Sequence, residues 1–194
     1  MAGVLAAEGT VICAREARSI LEKQFSPAYA EDCLAVRRRY GVPEDAAREL
    51  LADPGLFGAS AACAAGDGGV MAALWDFFEP FRMGFRVNLR DFLIAQETVE
   101  VCEILHLNPY RLRADGAMFF SAPNGGRLAG KLLERGIPAR VIGITEKSVG
   151  RKIENGEVHT FLDRPRPDEL FKLKERMENT GKMPGQDTCL AERR

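Results

Sequence analysis

From about residue 59 onward, short apolar segments of strand character alternate with longer stretches of helical period. Glycine or proline separates almost every pair. That alternation restricts the chain to a β-sheet with helices packed on its faces. The expected order is helices first, then β-α-β-α-β-α-β-β-α. Near the end, Ile153 to Val158 carries Asn155-Gly156, a two-residue type I′ hairpin signal, which makes the sheet mixed rather than purely parallel. The fold class expected from the pattern is therefore α+β.

Individual elements follow from local signals. Thr10 to Cys13 is apolar and reads as a strand or as the lead into a helix, and Ala14 to Gln24 reads as a helix. Ser26-Pro27 is a helix start, with Ser at the N-cap and Pro at the first helical position, and Gly41 ends that helix after Tyr40. A short helix follows from Pro43 to Leu51, then a loop over 53–58. Ala59 to Ala65 reads as a tightly packed buried strand, and Val70, Leu74 and Phe78 mark one face of the next helix. Phe85 to Arg90 alternates as a half-buried strand. A helix from about Gln96 to Leu107 turns Val99, Cys102 and Ile104 or Leu105 inward. Ala117 to Phe120 and Ala139 to Thr145 read as apolar strands on either side of a helix opened by Asn124-Gly125. Asp168 caps the last helix, and Gly181 to Arg194 reads as a loose polar tail.

Composition excludes several classes. Hydrophobic residues are 46% and charged residues 28% of 194, values of an ordinary globular chain. Lys plus Arg number 27 against 28 Asp plus Glu, so the net charge of −1 argues against a dedicated nucleic-acid or anionic-membrane binder. The five cysteines (Cys13, Cys33, Cys63, Cys102, Cys189) form no CxxC pair, and with only His106 and His159 available a zinc site is not expected. Such scattered cysteines suit a reducing compartment. With no secretory signal and no apolar run of membrane-spanning length, the expected location is the cytoplasm.

Few residues carry a chemical signal. Gly66-Asp67-Gly68-Gly69 lies between a strand and a helix N-terminus, where backbone N–H groups and the helix dipole favour phosphate. Asp67 could hold a phosphate-bridging metal or cap the helix. The turn matches neither the P-loop nor the dinucleotide fingerprint. Asp115-Gly116 is a second glycine turn able to approach the same ligand. The Arg37-Arg38-Arg39 run is able to bind an anion, but reads first as a solvated helix end. Glu97 and Glu100 read as surface residues, and neither histidine has a neighbour suggesting a triad.

Taken together, these segments resemble the C-terminal domain of the AIR synthase-related (PurM/HypE-like) family. That family includes aminoimidazole ribonucleotide synthetase, HypE-like hydrogenase maturation proteins, selenophosphate synthetase and thiamine-monophosphate kinase. The likeness lies in Ala7-Glu8-Gly9-Thr10, Asp67-Gly68-Gly69-Val70, Gln96 to Cys102, Leu107-Asn108-Pro109-Tyr110, Gly116-Ala117-Met118, Ile137 to Gly143, Leu162-Asp163-Arg164-Pro165 and Pro167 to Leu170. It is strongest toward the HypE-like branch.

The resemblance implies a PurM C-terminal domain-like fold over 1–178 with a polar tail over 179–194. It also implies ATP-dependent chemistry in which an N-terminal domain supplies most of the ATP and Mg2+ ligands. The C-terminal domain closes over the nucleotide with its glycine turn, here Gly66, Asp67, Gly68 and Gly69, joined by Asp115 and Gly116. The match begins almost at Met1. The ATP-binding domain is therefore expected from a separate partner or from the rest of a longer protein, and this chain alone is not expected to bind ATP tightly. Where relatives read His-Asp-x-Thr-Glu-Gly-Gly, this chain has Cys63 to Gly69, and a Ser-Gly-Ser turn is replaced by Asp115-Gly116-Ala117. Those losses also fit a degenerate scaffold that homo-oligomerises. A third possibility is a small-molecule enzyme using Asp67 and Asp115 with a metal. The family's terminal cysteine role is not carried over to Cys189, because Leu190 to Arg194 follow it.

Overall fold

The computed structural model describes residues 1–180. Four helices open the chain: α1 (Ala7–Glu16), α2 (Arg18–Leu21), α3 (Pro27–Tyr40) and α4 (Glu44–Ala52). The remaining elements are β1 (Ala61–Ala64), α5 (Gly69–Phe78), β2 (Gly84–Asn88), α6 (Gln96–Ile104), β3 (Met118–Ser121), α7 (Gly125–Glu134), β4 (Gly143–Glu146), β5 (Arg151–Asn155), β6 (Val158–Phe161) and α8 (Leu170–Thr180). The order is as expected through α7, but three strands rather than two then precede the last helix, and the strands form two sheets rather than one. β1 pairs antiparallel with β3, and the other sheet runs β4-β2-β5-β6. Within it only β2 and β5 are parallel, so it is mixed as expected.

Local chemistry explains most boundaries. The Ser26 side chain accepts the Tyr29 N–H, and Asn124 accepts that of Arg127. Both are N-caps that satisfy a donor the helix itself cannot. The main core joins α1, α5, α8 and both sheets through Cys13, Leu74, Phe85, Phe119 and Leu173, with Leu5 and Leu112 packed among them. The Arg151 guanidinium on β5 stacks over the Trp75 ring of α5 at 3.9 Å and pairs with Glu79, fastening the second sheet to that helix.

Thr10 to Cys13 lies inside α1, the helical of the two alternatives. Three expectations are corrected. The strand expected over 139–145 is only Gly143–Glu146, and Val141 and Ile144 are exposed there. Ala139 instead bridges to Ala2, which also pairs with Met118 at the end of the small sheet. Asn155 pairs with Val158, so the hairpin loop is Gly156-Glu157, and of these only Gly156 has positive φ (+63°). A type I′ turn needs positive φ at both central residues, whereas glycine in the first position fits type II′. On α6, Cys102 and Leu105 face inward as expected, but Val99 is 37% exposed, and Thr98 and Val101 are buried on either side of it.

Thr98 is fully buried and shares a 2.8 Å hydrogen bond with Thr10, which is also fully buried. Thr10 donates its own proton to the Ala6 carbonyl, so Thr98 is the donor between the two hydroxyls. Two of the segments that carry the family likeness are therefore joined by one buried polar pair. Thr10→Val strands the Thr98 proton and should cost about 1–3 kcal/mol, and Thr98→Val less, because Thr10 keeps Ala6. The double variant should cost less than the sum of the two in urea denaturation.

Candidate functional site

The two glycine turns singled out in the sequence meet in space. Gly66 accepts the Ala114 N–H at 3.0 Å, and the Ala65 N–H donates to Ala117 at 2.9 Å, which laces the turn after β1 to the turn before β3. Arg113 lies between them. Its Nη1 donates to Asp67 at 2.6 Å and its Nε to Asp115 at 2.8 Å. Asp67 therefore caps no helix. The N-cap of α5 is Gly68, in the left-handed region at φ +73°. Gly69 follows at φ +69°, and a Cβ there would lie 2.6 Å from the Tyr110 carbonyl oxygen and 2.8 Å from that of Leu112. Only glycine serves at this position, because both the backbone angle and the close approach forbid a side chain.

Two of the amides expected to meet a phosphate, those of Gly68 and Gly69, have partners within the chain. The Gly68 N–H donates at 2.8 Å to Oδ2 of Asp168, a residue only 7% exposed. The Gly69 N–H donates to Gly66, and the Met71 N–H to Tyr110. The other oxygen of Asp168, Oδ1, accepts the Leu170 N–H at 2.9 Å, so one carboxylate serves the start of α8 and the turn before α5. Its neighbour Glu169, 3% exposed, receives Lys172 Nζ and the Asn108 N–H. Asp168 was legible in the sequence as a helix cap. Its reach to Gly68, 100 residues away, was not.

Arg37 is not a solvated helix end. It is half-buried, donates to the Val42 carbonyl at 3.1 Å, and packs over Gly116 (φ +91°), where a Cβ would meet its guanidinium at 2.5 Å. Glu8 lies 3.9 Å from it. Arg39 pairs with Asp32 at 2.7 Å, and Arg38 is exposed. Glu97 is 3.9 Å from Arg39, with a side chain only 12% exposed, so it is less superficial than expected. His106 is exposed in a left-handed conformation after α6, and His159 faces Glu154 across the hairpin at 3.6 Å. Neither histidine approaches the glycine turns in any interaction among the described residues.

Among the described residues no group of three or more His, Cys, Asp or Glu is arranged to hold a metal. Asp67 and Asp115, the candidate ligands, face a shared arginine. The described cysteines are free thiols. Cys13, Cys33 and Cys102 are buried and Cys63 partly so, while Cys189 lies outside the described residues. Burial pushes the Cys33 and Cys63 thiols up to about 11 and Cys102 to about 12, so none is an activated nucleophile. No helix among the described residues is long and apolar enough to cross a membrane.

The crystal structure of E. coli HypE, a hydrogenase maturation protein, matches with a TM-score of 0.61 over 87% of this chain and 49% of its own, at 18% identity. Thiamine-monophosphate kinase from Stenotrophomonas maltophilia matches at 0.53 over 80% of this chain and 48% of its own, with 16% identity. The same kinase from Aquifex aeolicus matches at 0.51 over 81% and 49%, with 14% identity. The chain has a PurM-like fold. It spans about half the length of each of these structures. No family model and no curated protein sequence matches it.

Within this PurM-like fold, Asp168→Ala removes the acceptor of two N–H groups and should cost about 3 kcal/mol in chemical denaturation. Asp168→Asn keeps one acceptor oxygen and should cost about half as much. Arg113→Ala breaks only exposed pairs and should cost about 1 kcal/mol or less.

The raised thiols give a pH dependence. In the unfolded chain a thiol loses its proton near pH 8.5, whereas the folded thiols keep theirs to about 11–12. Their stabilising contribution is complete below about pH 8.5 and falls from there to about 11–12, by up to about 1.4 kcal/mol per pH unit for each thiol. Urea midpoints should therefore fall between pH 8 and 10, and less steeply in Cys102→Ala.

Proposed function

We propose that this chain is a C-terminal-type module of a HypE-like, ATP-dependent protein that is not catalytic alone and works with a separate ATP-binding domain. The observation that carries the reading is the internal engagement of the Gly68 amide. A carboxylate of the chain itself, Asp168, holds the Gly68 amide where a phosphate would otherwise be met. The match to half of E. coli HypE supports the same division of labour. On this reading ATP and Mg2+ are bound chiefly by the partner domain. The exposed face of Gly66, Asp67, Asp115 and Gly116 closes over them, with Arg113 as the cation nearest the phosphates. The Asp67 and Asp115 pairing to Arg113 weighs against a self-sufficient metal site on those two carboxylates.

A second reading, a non-catalytic scaffold that homo-oligomerises, is favoured by exposed apolar side chains on the sheet's edge strands. Ile144 on β4 is 54% exposed, and Val158 and Phe161 on β6 are 60% and 68% exposed.

Thermal shift with ATP and Mg2+ tests the first reading. The purified chain should show no stabilisation, where a ligand at 100 times its dissociation constant would give about 2.7 kcal/mol. Stabilisation should arise only with a glycine- and aspartate-rich ATP-binding domain, expected from a neighbouring reading frame. Tight binding and hydrolysis by the chain alone would refute it. Sedimentation separates the readings: a concentration-independent monomer eliminates the scaffold.

A further inference from the structure

A cleft of about 410 Å³ opens between β2, β3, α5 and α7, away from the glycine turns. Its volume is in the range of small-molecule sites. The inner wall is aromatic, built by Phe77 and Phe78 of α5, Phe85 of β2 and Phe119 of β3. The opposite side is lined in part by small residues of α7, namely Gly125, Gly126 and Ala129, which leave the space open. A Cβ at Gly126 would have only the Asn124 side chain within 4 Å, at 3.7 Å.

The polar groups at the mouth have one sign. Among the described residues that line the cleft Arg140 has the only charged side chain and none is a carboxylate; Met1 also lines it, and its N-terminal amine donates to the Arg140 carbonyl at 2.9 Å. The Arg140 guanidinium is exposed and has no ion pair or hydrogen bond among the described residues, since only its backbone is engaged, with Met1. Asn124 caps the Arg127 N–H, and the Gly125 and Gly126 amides have no partner among the described residues. The Ser121 and Thr145 hydroxyls also line the cleft and are engaged to nothing described. An apolar slot ending in a free guanidinium and two free amides is complementary to an amphiphile with a negative head.

We propose that this cleft binds a small organic monoanion, an aryl or alkyl carboxylate, with its apolar body against Phe85 and Phe119 and its carboxylate at Arg140. The site is separate from the glycine turns and does not depend on the reading of them given above.

Titration of the full chain with 1-naphthaleneacetate, followed by amide NMR spectra, tests it, with neutral 1-naphthaleneethanol as the control. Saturable shifts are expected at Phe119, Gly125, Gly126 and Arg140. Arg140→Gln, an exposed and structurally mild change, should weaken the carboxylate roughly ten-fold and leave the neutral compound unaffected. Ala129→Trp should exclude both. No saturable shift with the wild-type chain, or shifts confined to amides elsewhere, would overturn the proposal. So would equal binding of acid and alcohol that Arg140→Gln does not change, or binding that survives Ala129→Trp in a folded variant.

Discussion

The carboxylate of Asp168 is the constraint on which the arrangement around the glycine turns depends. It sits at the N-terminus of α8 and accepts the Gly68 amide at the N-terminus of α5, so two helix starts share one anion. The turn before α5 can then take two successive left-handed glycines, with Gly69 pressed against the 110–112 backbone. That backbone leads directly to Arg113, which gathers the aspartates of both turns. A hundred residues of sequence separation are closed by one side chain.

That closure bears on function. A glycine turn ahead of a helix is generic anion-binding geometry, and this protein supplies the anion itself. What remains exposed is a rim of charges already paired with one another, Asp67 and Asp115 with Arg113 and Glu8 with Arg37. Such a rim is suited to meeting a second surface rather than to gripping a phosphate unaided. The Phe-lined cleft under α7 is its opposite: little of its polar edge is satisfied, and what is unsatisfied is positive or neutral.

Much of the fold was readable in residue order, and the reasons are local. Ser26-Pro27 and Asn124 begin helices through their own side chains, Gly41 and Pro80 end them, and the Phe85 to Leu89 alternation reflects a sheet with one covered face. The glycine turns at Gly66 to Gly69 and at Asp115-Gly116 are visible in the sequence, but that they lie side by side is decided by the tertiary pairing of Ala65 and Gly66 with Ala117 and Ala114. Errors fell where tertiary pairing decides. Residues 139–142 are apolar enough for a strand, yet Ala139 bridges Ala2 instead of entering the larger sheet. The hairpin slipped by one residue because the Asn155–Val158 pairing outweighed the preference of Asn-Gly for the loop. The separation into two sheets, the Asp168 clasp, the Arg113 bridge and the packing of Arg37 on Gly116 join distant segments, and no periodicity in the chain announces them.

The Gly68 amide resonance is the most direct probe of the internally filled turn. In amide NMR spectra of the purified chain, Gly68 should stay in place as millimolar ATP and Mg2+ are added, and should move when Asp168 is replaced by Ala. Saturable displacement of the Gly68 and Gly69 resonances by ATP in the wild-type chain would mean that the turn is open to phosphate, and would contradict a site closed by Asp168.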